Sequence, residues 1–251
     1  MNNTSPYKPR AHVIERPDYR PAWPQEQFIV PLLQKHIVNA LNTYASNPKP
    51  AARVIDIGCG RQPFRKDLEH LGYTYVGLDV KQNPEETVDF VAEIDADFLD
   101  SEPSLGTFDF VLCTEVLEHV AQWHLAFNNM YLLTAPGGKV LITCPHFYQL
   151  HEAPYDFWRP TNFVLEYYAN QVGFKIVEQI NAGDAWDVLG TSLANIHGFS
   201  MKSYKLKDKL LYRLVVLLHK KISKILVNRT IQNAVAVHSP LYLSNVLVLE
   251  K

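Results

Sequence analysis

What most restricts this chain is a series of short apolar runs separated by segments of helical spacing. "RVIDI" from Arg53, "TYVGLDV" from Thr74, "DFVAEI" from Asp89, "FDFVLC" from Phe108 and "KVLITC" from Lys139 come in succession, and "FKIVEQI" from Phe174 and "LYLSNVLVLEK" from Leu241 complete seven. A strand with one wet face alternates apolar and polar residues, whereas a near-continuous apolar strand is covered on both faces. Strands of that kind alternating with helices build parallel βαβ units. The expected fold is α/β, a doubly wound and mostly parallel seven-stranded sheet of Rossmann-like form.

The helices are read from apolar spacing. Phe28 to Tyr44, Phe64 to Leu71, Glu115 to Thr134 and a segment from near Thr161 to Gly173 each repeat at helical period. Pro31 is expected to sit in the first turn of its helix, where a missing N–H costs nothing. Six of the 16 prolines fall within Pro6 to Pro31, so the beginning reads as an irregular arm. Residues 1–50 are therefore taken as arm and helix and residues 51–251 as the main domain. Between the last two strands lie about sixty residues, far more than an ordinary connection, and they read as a helical basic insertion over about 183–238.

Charge and cysteine content narrow the setting. The net charge of -2 argues against a chain-wide grip on nucleic acid. No apolar run approaches the length of a membrane span, and the start lacks a secretion signal. Cys59, Cys113 and Cys144 are far apart, so neither a disulfide framework nor a zinc site is indicated. A cytoplasmic, metal-independent protein is expected.

The stretch "VIDIGCGRQPF", Val54 to Phe64, is a glycine turn after an apolar strand. A dinucleotide fingerprint needs a third glycine where Pro63 stands, and a phosphate loop needs a Lys-Ser or Lys-Thr pair that is missing. What remains is D-x-G-x-G, in which Asp56 suits a ligand carrying an amino group. Gly58 and Gly60 allow backbone angles closed to other residues. Asp79, at the end of "TYVGLDV", stands where an acidic side chain binds ribose hydroxyls.

With these strings in order, the chain resembles the class I S-adenosylmethionine-dependent methyltransferases from about Arg53 to Gln179. "VIDIGCG", "GLDV", "EIDADF", "FDFVLCTEVLEHV" and "LLTAPGGKVLITCP" match that family's successive motifs. The resemblance implies that Asp56, Gly58 and Gly60 hold the methionine end of the cofactor and Asp79 its ribose. It further implies Asp95 and Ala96 at the adenine and Thr114 or Glu115 at the cofactor's near edge. The departure is Gln62, where the family usually has a third glycine, which bears on the loop's shape.

"CPHFYQLHEAPYDFWRP", Cys144 to Pro160, follows the fifth strand and is the expected substrate wall. It is similar to a segment of methyltransferases from bacterial polysaccharide and glycolipid clusters, through His151, Pro154, Asp156, Phe157, Trp158, Arg159 and Thr161. Removing a hydroxyl proton near neutral pH is work most often given to histidine. His146 and His151 are the candidate bases, with His119, Asp156, Trp158 and Arg159 as candidate substrate contacts. The competing reading is that Asp156 pairs with Arg159, Thr161 caps a helix and the aromatics merely pack it.

The implied activity is methyl transfer to a small-molecule or glycan-type acceptor, including lipid-linked glycans, at oxygen. A non-catalytic protein on the same fold and an RNA methyltransferase are the alternatives. DNA is not an expected partner, because "CTEV" stands where base-amine methylases carry a proline-rich motif. Residues 202–229 hold nine basic residues against Asp208 alone, with Leu206, Leu210, Leu214, Leu217, Ile222 and Ile225 broadly along one side. That face suits the inner surface of a membrane with anionic lipids. Alternatively it packs on its own domain or on a second subunit of a homo-oligomer.

Overall fold

The structure, a computed structural model, describes residues 17–97, 99, 105–196, 199, 200, 202 and 205–251. The arm's first sixteen residues lie outside that set. The strands are β1 (Arg53–Ile57), β2 (Thr74–Asp79), β3 (Phe90–Val91), β4 (Phe108–Thr114), β5 (Thr134–Pro145), β6 (Lys175–Ala182) and β7 (Ser244–Glu250). They form one seven-stranded sheet in the order β3-β2-β1-β4-β5-β7-β6. Only β7 runs antiparallel to its neighbours. The strand order reverses between β1 and β4, which opens a crevice beyond their carboxyl ends.

Helix α1 (Glu26–Ala40) leads into a wider turn (Leu41–Ala45). Helices α2 (Arg65–Leu71), α3 (Trp123–Leu133) and α4 (Asn162–Val172) occupy the connections, and α5 (Ala185–Asn195), α6 (Leu206–Val227) and α7 (Thr230–Ala234) lie between β6 and β7. The apolar runs divide between two cores because successive strand residues face opposite ways. On β4, Val111 and Cys113 join the layer of α3 and α4, whereas Phe110 and Leu112 join the layer of α1 and α2.

Three expectations are corrected. Pro31 sits inside α1, at its sixth residue, so the helix does without one backbone donor there. The strand expected over "DFVAEI" is only Phe90–Val91, after which the chain turns. The helix expected from Glu115 begins instead at Trp123. Glu115 has a left-handed backbone (φ 55°), Leu117–His119 form a single tight 3-10 turn, and Val120 is extended. Residues that a continuous helix would have carried along its flank are thereby turned toward the crevice. The helix starts where the Asp95 carboxylate accepts the backbone N–H of Gln122 at 3.0 Å.

Helix α5 lies against α1 through Gly190, where an added Cβ would stand 2.4 Å from the Phe28 ring. Phe28 is buried and has no room to yield. Gly190→Ala is expected to destabilise by about 2 kcal/mol, as overpacked cores do. For a chain of this size that lowers the melting temperature by roughly 4–8 °C, which scanning calorimetry would read.

Candidate active site

The crevice is lined by the ends of β1, β2 and β4, by the turn after β3, and by the loop that follows β5. At β1, Asp56 is buried and accepts a hydrogen bond from the Tyr75 hydroxyl at 2.7 Å. Burial pushes its carboxyl up to about 7; the Tyr75 hydrogen bond opposes this, and the nearby Asp79 adds to it. A carboxylate so poised ionises readily when a cation arrives.

Gly58 (φ 68°) passes so close to Val116 that a Cβ would meet it at 2.3 Å. Gly60 (φ 50°) donates its N–H to the Asp79 carboxylate at 2.8 Å, which ties the turn to the end of β2. Gln62, which replaces the usual third glycine, adopts φ 56°. Its side-chain amide donates to the Thr87 carbonyl at 2.7 Å and its amide oxygen accepts from Arg65 at 3.1 Å. The loop thus keeps a left-handed bend that glycine would take without strain, and the side chain is used to secure it.

Asp95 and Thr114 line the crevice, as does Glu115, whose N–H reaches Thr143 O at 3.0 Å. Ala96 does not; it packs against the core, and its carbonyl accepts from Asn129 at 2.9 Å. Its neighbours Ala92, Glu93 and Ile94 stand at the wall instead.

The acceptor side is built from the tight turn after β4 and the loop after β5. Both backbone N–H groups of Phe157 and Trp158 donate to the Glu118 carbonyl, at 2.8 and 3.2 Å, and hold the two segments together. Within the crevice His119 and His151 meet edge to face with ring centres 4.7 Å apart. Their Nε2 atoms lie 3.8 and 3.9 Å from Glu118 Oε1. His119 Nδ1 lies 2.9 Å from the Tyr155 carbonyl, an arrangement that suits a proton on Nδ1. Burial, with Glu115 nearby, raises the Glu118 carboxyl well above the ordinary carboxylate range. Burial also lowers the His151 imidazole below its usual value, with Asp156 opposing and Arg159 assisting that shift.

The remaining residues expected at the substrate wall stand behind it. His146 stacks on Tyr242 with ring centres 4.2 Å apart, and its Nδ1 lies 2.9 Å from the Pro160 carbonyl, outside the crevice lining. The Trp158 indole donates to the Val120 carbonyl at 2.8 Å and packs on Trp123. Arg159 bonds Asp156 through both terminal nitrogens, at 2.6 and 2.8 Å, and also the carbonyls of Tyr148, Gln149 and Trp158. Its guanidinium is therefore occupied internally and is not presented to a substrate anion. Asp156 in turn accepts the His151 backbone N–H at 2.9 Å and lies 3.3 Å from its Nδ1. These two residues position His151. Thr161 stands at the N-cap of α4, but its side chain makes no capping hydrogen bond.

Sequence reasoning missed Glu118, which sits beside the two histidines, and the contribution of Tyr19, Ile29, Val30 and Leu33 to the crevice wall; Glu152, within the expected substrate wall, lies beside His119. Glu152 adopts φ 50° and Glu115 φ 55°, and both line the crevice. Left-handed backbone at non-glycine residues clusters at functional sites because the surrounding structure must hold it. Glu118, His119 and His151 offer one donor atom each within 4.8 Å of one another. Such a trio accommodates a mobile proton or, chemically, a divalent cation.

The family described as a methyltransferase domain matches residues 32–179, more than half of the chain. The ubiquinone biosynthesis O-methyltransferase of Nitrosococcus oceani is 31% identical over 133 residues, covering 48% of this chain and 55% of that protein. The human mitochondrial protein of the same name is 25% identical over 139 residues, 50% of this chain and 37% of that one. This chain spans about half the length, or less, of these curated relatives. Among solved structures, a SAM-dependent methyltransferase from Archaeoglobus fulgidus superposes with a TM-score of 0.52 at 16% identity, covering 87% of this chain and 94% of that one. A putative sarcosine dimethylglycine methyltransferase from Galdieria sulphuraria gives 0.53 at 12% identity, covering 87% and 84%. At those identities the likeness is one of fold. With a carboxylate at each of two adjoining strand ends, glycine bends between them and a family match across the sheet that carries them, the chain belongs to the methyltransferase-domain family and has the fold of class I S-adenosylmethionine-dependent methyltransferases.

Proposed function

We propose that the protein transfers the methyl group of S-adenosylmethionine to a hydroxyl oxygen of a small-molecule or glycan-type acceptor, with His151 as general base. The observation that carries this reading is the pair of imidazoles, His119 and His151, that meet edge to face in the crevice, His151 being backed by the Asp156 carboxylate. The sulfonium is already a good leaving group, so the protein must chiefly align the acceptor, exclude water and take the hydroxyl proton. Asp56 and the glycine bend would hold the methionine end and Asp79 the ribose. With the cofactor bound, its sulfonium would supply the methyl group to the acceptor oxygen, and His151 Nε2 would take the hydroxyl proton.

Oxygen as the methylated atom is supported by the names of the curated relatives, which are O-methyltransferases. A saccharide acceptor rests on the likeness of "HEAPYDFWRPT" to enzymes of polysaccharide and glycolipid clusters. We infer a proton, not a metal ion, among Glu118, His119 and His151. The test is methyl transfer from labelled cofactor to a panel of catechols, nucleotide sugars and glycolipids, before and after chelation. Labelled methyl ether from a hydroxylated member of the panel, unaffected by chelator, is the expected result. Cofactor binding with no transfer to any member would favour the non-catalytic reading, and activity lost to chelator and restored by a divalent cation would replace the proton with a metal.

A further inference from the structure

On helix α6 the flank expected to pack on the domain stays exposed at Leu206, Leu210, Leu214, Leu217, Ile222 and Ile225, while His219 on the neighbouring face lies 2.8 Å from the Leu193 carbonyl of α5. The contact with a chemical consequence lies instead beneath the glycine turn. Strands β1 and β2 run parallel, with Val54 beside Tyr75 and Asp56 beside Gly77. Side chains two residues apart share one face of a sheet, so Tyr75 stands one step behind Asp56 on the same side. Gly77, directly beside Asp56, carries no side chain. A Cβ there would meet Gln62 Nε2 at 2.7 Å, Cys59 Sγ at 2.9 Å and the Tyr75 ring at 3.5 Å. The ring lies against that bare position, and its hydroxyl donates to Asp56 Oδ2 at 2.7 Å. Both side chains are buried, and the Arg65 guanidinium covers the ring, its carbon 5.3 Å from the ring centre.

We propose that Tyr75 is a positioning residue for cofactor recognition, whose hydroxyl fixes Asp56 Oδ2 and keeps the charged carboxylate facing the amino group of S-adenosylmethionine. This role rests on the reading of Asp56 as the contact to the methionine end. The bond engages Oδ2, and Asp56 lines the crevice, which leaves Oδ1 for a ligand. A donor to a carboxylate stabilises the charged form, whereas burial and a neighbouring anion oppose it. The ionisable groups around Asp56 come from three elements: Tyr75 and Asp79 on β2, Cys59 in the glycine turn and Cys113 on β4. Burial, with Asp56 nearby, raises both thiols and the Tyr75 hydroxyl above their usual ranges, so all three stay uncharged near neutral pH. Asp79 disfavours a second charge beside it. Of these groups Tyr75 is the one that favours ionised Asp56, through a hydrogen bond of the stronger, charge-assisted kind. Its hydroxyl therefore prepares the floor of the crevice for a cation before the ligand arrives.

Tyr75→Phe keeps the ring and removes only the hydroxyl. Isothermal calorimetry with S-adenosylhomocysteine, which retains the amino group, reads affinity from about pH 6 to about pH 9. Loss of a hydrogen bond to the charged form is expected to move the acid limb of affinity up by about one pH unit. With the parent limb at about 7, the variant should bind about fivefold more weakly near pH 7 and equally near pH 9. The ligand's own amino group titrates alike against both proteins and cancels in the ratio. A carbon-13 NMR titration of the free protein should show the Asp56 carboxyl moving up by the same amount, a readout independent of turnover. In an Asp56→Asn background, Tyr75→Phe should leave affinity and its pH dependence unaltered. An unmoved limb, a deficit equal at both ends of the pH range, or an effect of Tyr75→Phe that persists beside Asp56→Asn overturns the proposal. If Asp56→Asn alone changes neither affinity nor its pH dependence, the contact to the methionine end falls as well. A flattened Asp56→Asn profile beside an unmoved Tyr75→Phe profile removes Tyr75 only.

Discussion

Asp79→Ala is expected to weaken S-adenosylmethionine binding about 100-fold or more, because hydrogen bonds to a charged group contribute about 1.5–3 kcal/mol each and a ribose offers two hydroxyls. The carboxylate is also the acceptor for Gly60 N–H at 2.8 Å, so its loss frees the glycine turn as well. Isothermal calorimetry with the cofactor and with its demethylated product reads the effect directly. A change below about threefold in both would remove Asp79 from the ribose site. Asp56 should act through pH. Its carboxyl, raised by burial to about 7, is protonated in much of the free protein below neutrality, whereas a cofactor ammonium favours the ionised form. Affinity should therefore rise as pH rises through about 7, up to tenfold per unit on the acid side, with proton release on binding. The same shift acts on the free protein in the other sense. The folded state binds the extra proton, so stability contributed by protonated Asp56 is complete below the ordinary carboxylate pKa and is lost as pH rises toward 7. Asp56→Asn should flatten both dependences.

The sheet was legible because seven apolar runs must be covered on both faces and a parallel order follows from the helices between them. Asp56, Gly58, Gly60 and Asp79 were legible for a related reason: strand ends fix where side chains can meet, and the glycine bend has no partner role in the core. The acceptor side was harder. "EVLEHV" reads as the first turns of an amphipathic helix, and only the left-handed backbone at Glu115 breaks it and turns Glu118 and His119 inward. No periodicity in the sequence reports a local reversal of that kind. His146 and His151 are equivalent in sequence, five residues apart in an aromatic loop, and their different fates follow from Tyr242 and Asp156, contacts made after the chain has folded. The α6 stripe was visible as a pattern, but whether it faced its own domain depended on α5 engaging the neighbouring face through His219. Nothing in the spacing of leucines determines which flank of a helix meets its neighbour.

Among the side chains of the loop after β5, His151 carries the largest expected effect on turnover. Its imidazole lies in the crevice, with its pKa lowered by burial, Asp156 3.3 Å from Nδ1 and the Glu118 carboxyl 3.9 Å from Nε2. A positioned general base contributes about 10²–10⁴-fold, so His151→Ala should lower kcat by that range while cofactor affinity stays near the parent's. The lowered imidazole pKa puts the acid limb of kcat below the ordinary histidine value, whereas kcat/KM carries in addition the limb near 7 from Asp56 in the free enzyme. Asp156→Asn separates positioning from structure. Removing that carboxylate takes away a group that raises the His151 pKa and leaves Arg159, which lowers it, without its main partner. The acid limb should then move to lower pH while the plateau falls, a combination that loosened packing alone does not produce. His146→Ala, whose side chain stacks outside the crevice, should keep both limbs where they are. If instead His151→Ala turns over within about threefold of the parent and His119→Ala does not, the proton goes to the other imidazole of the pair, and the base moves from the loop to the turn after β4.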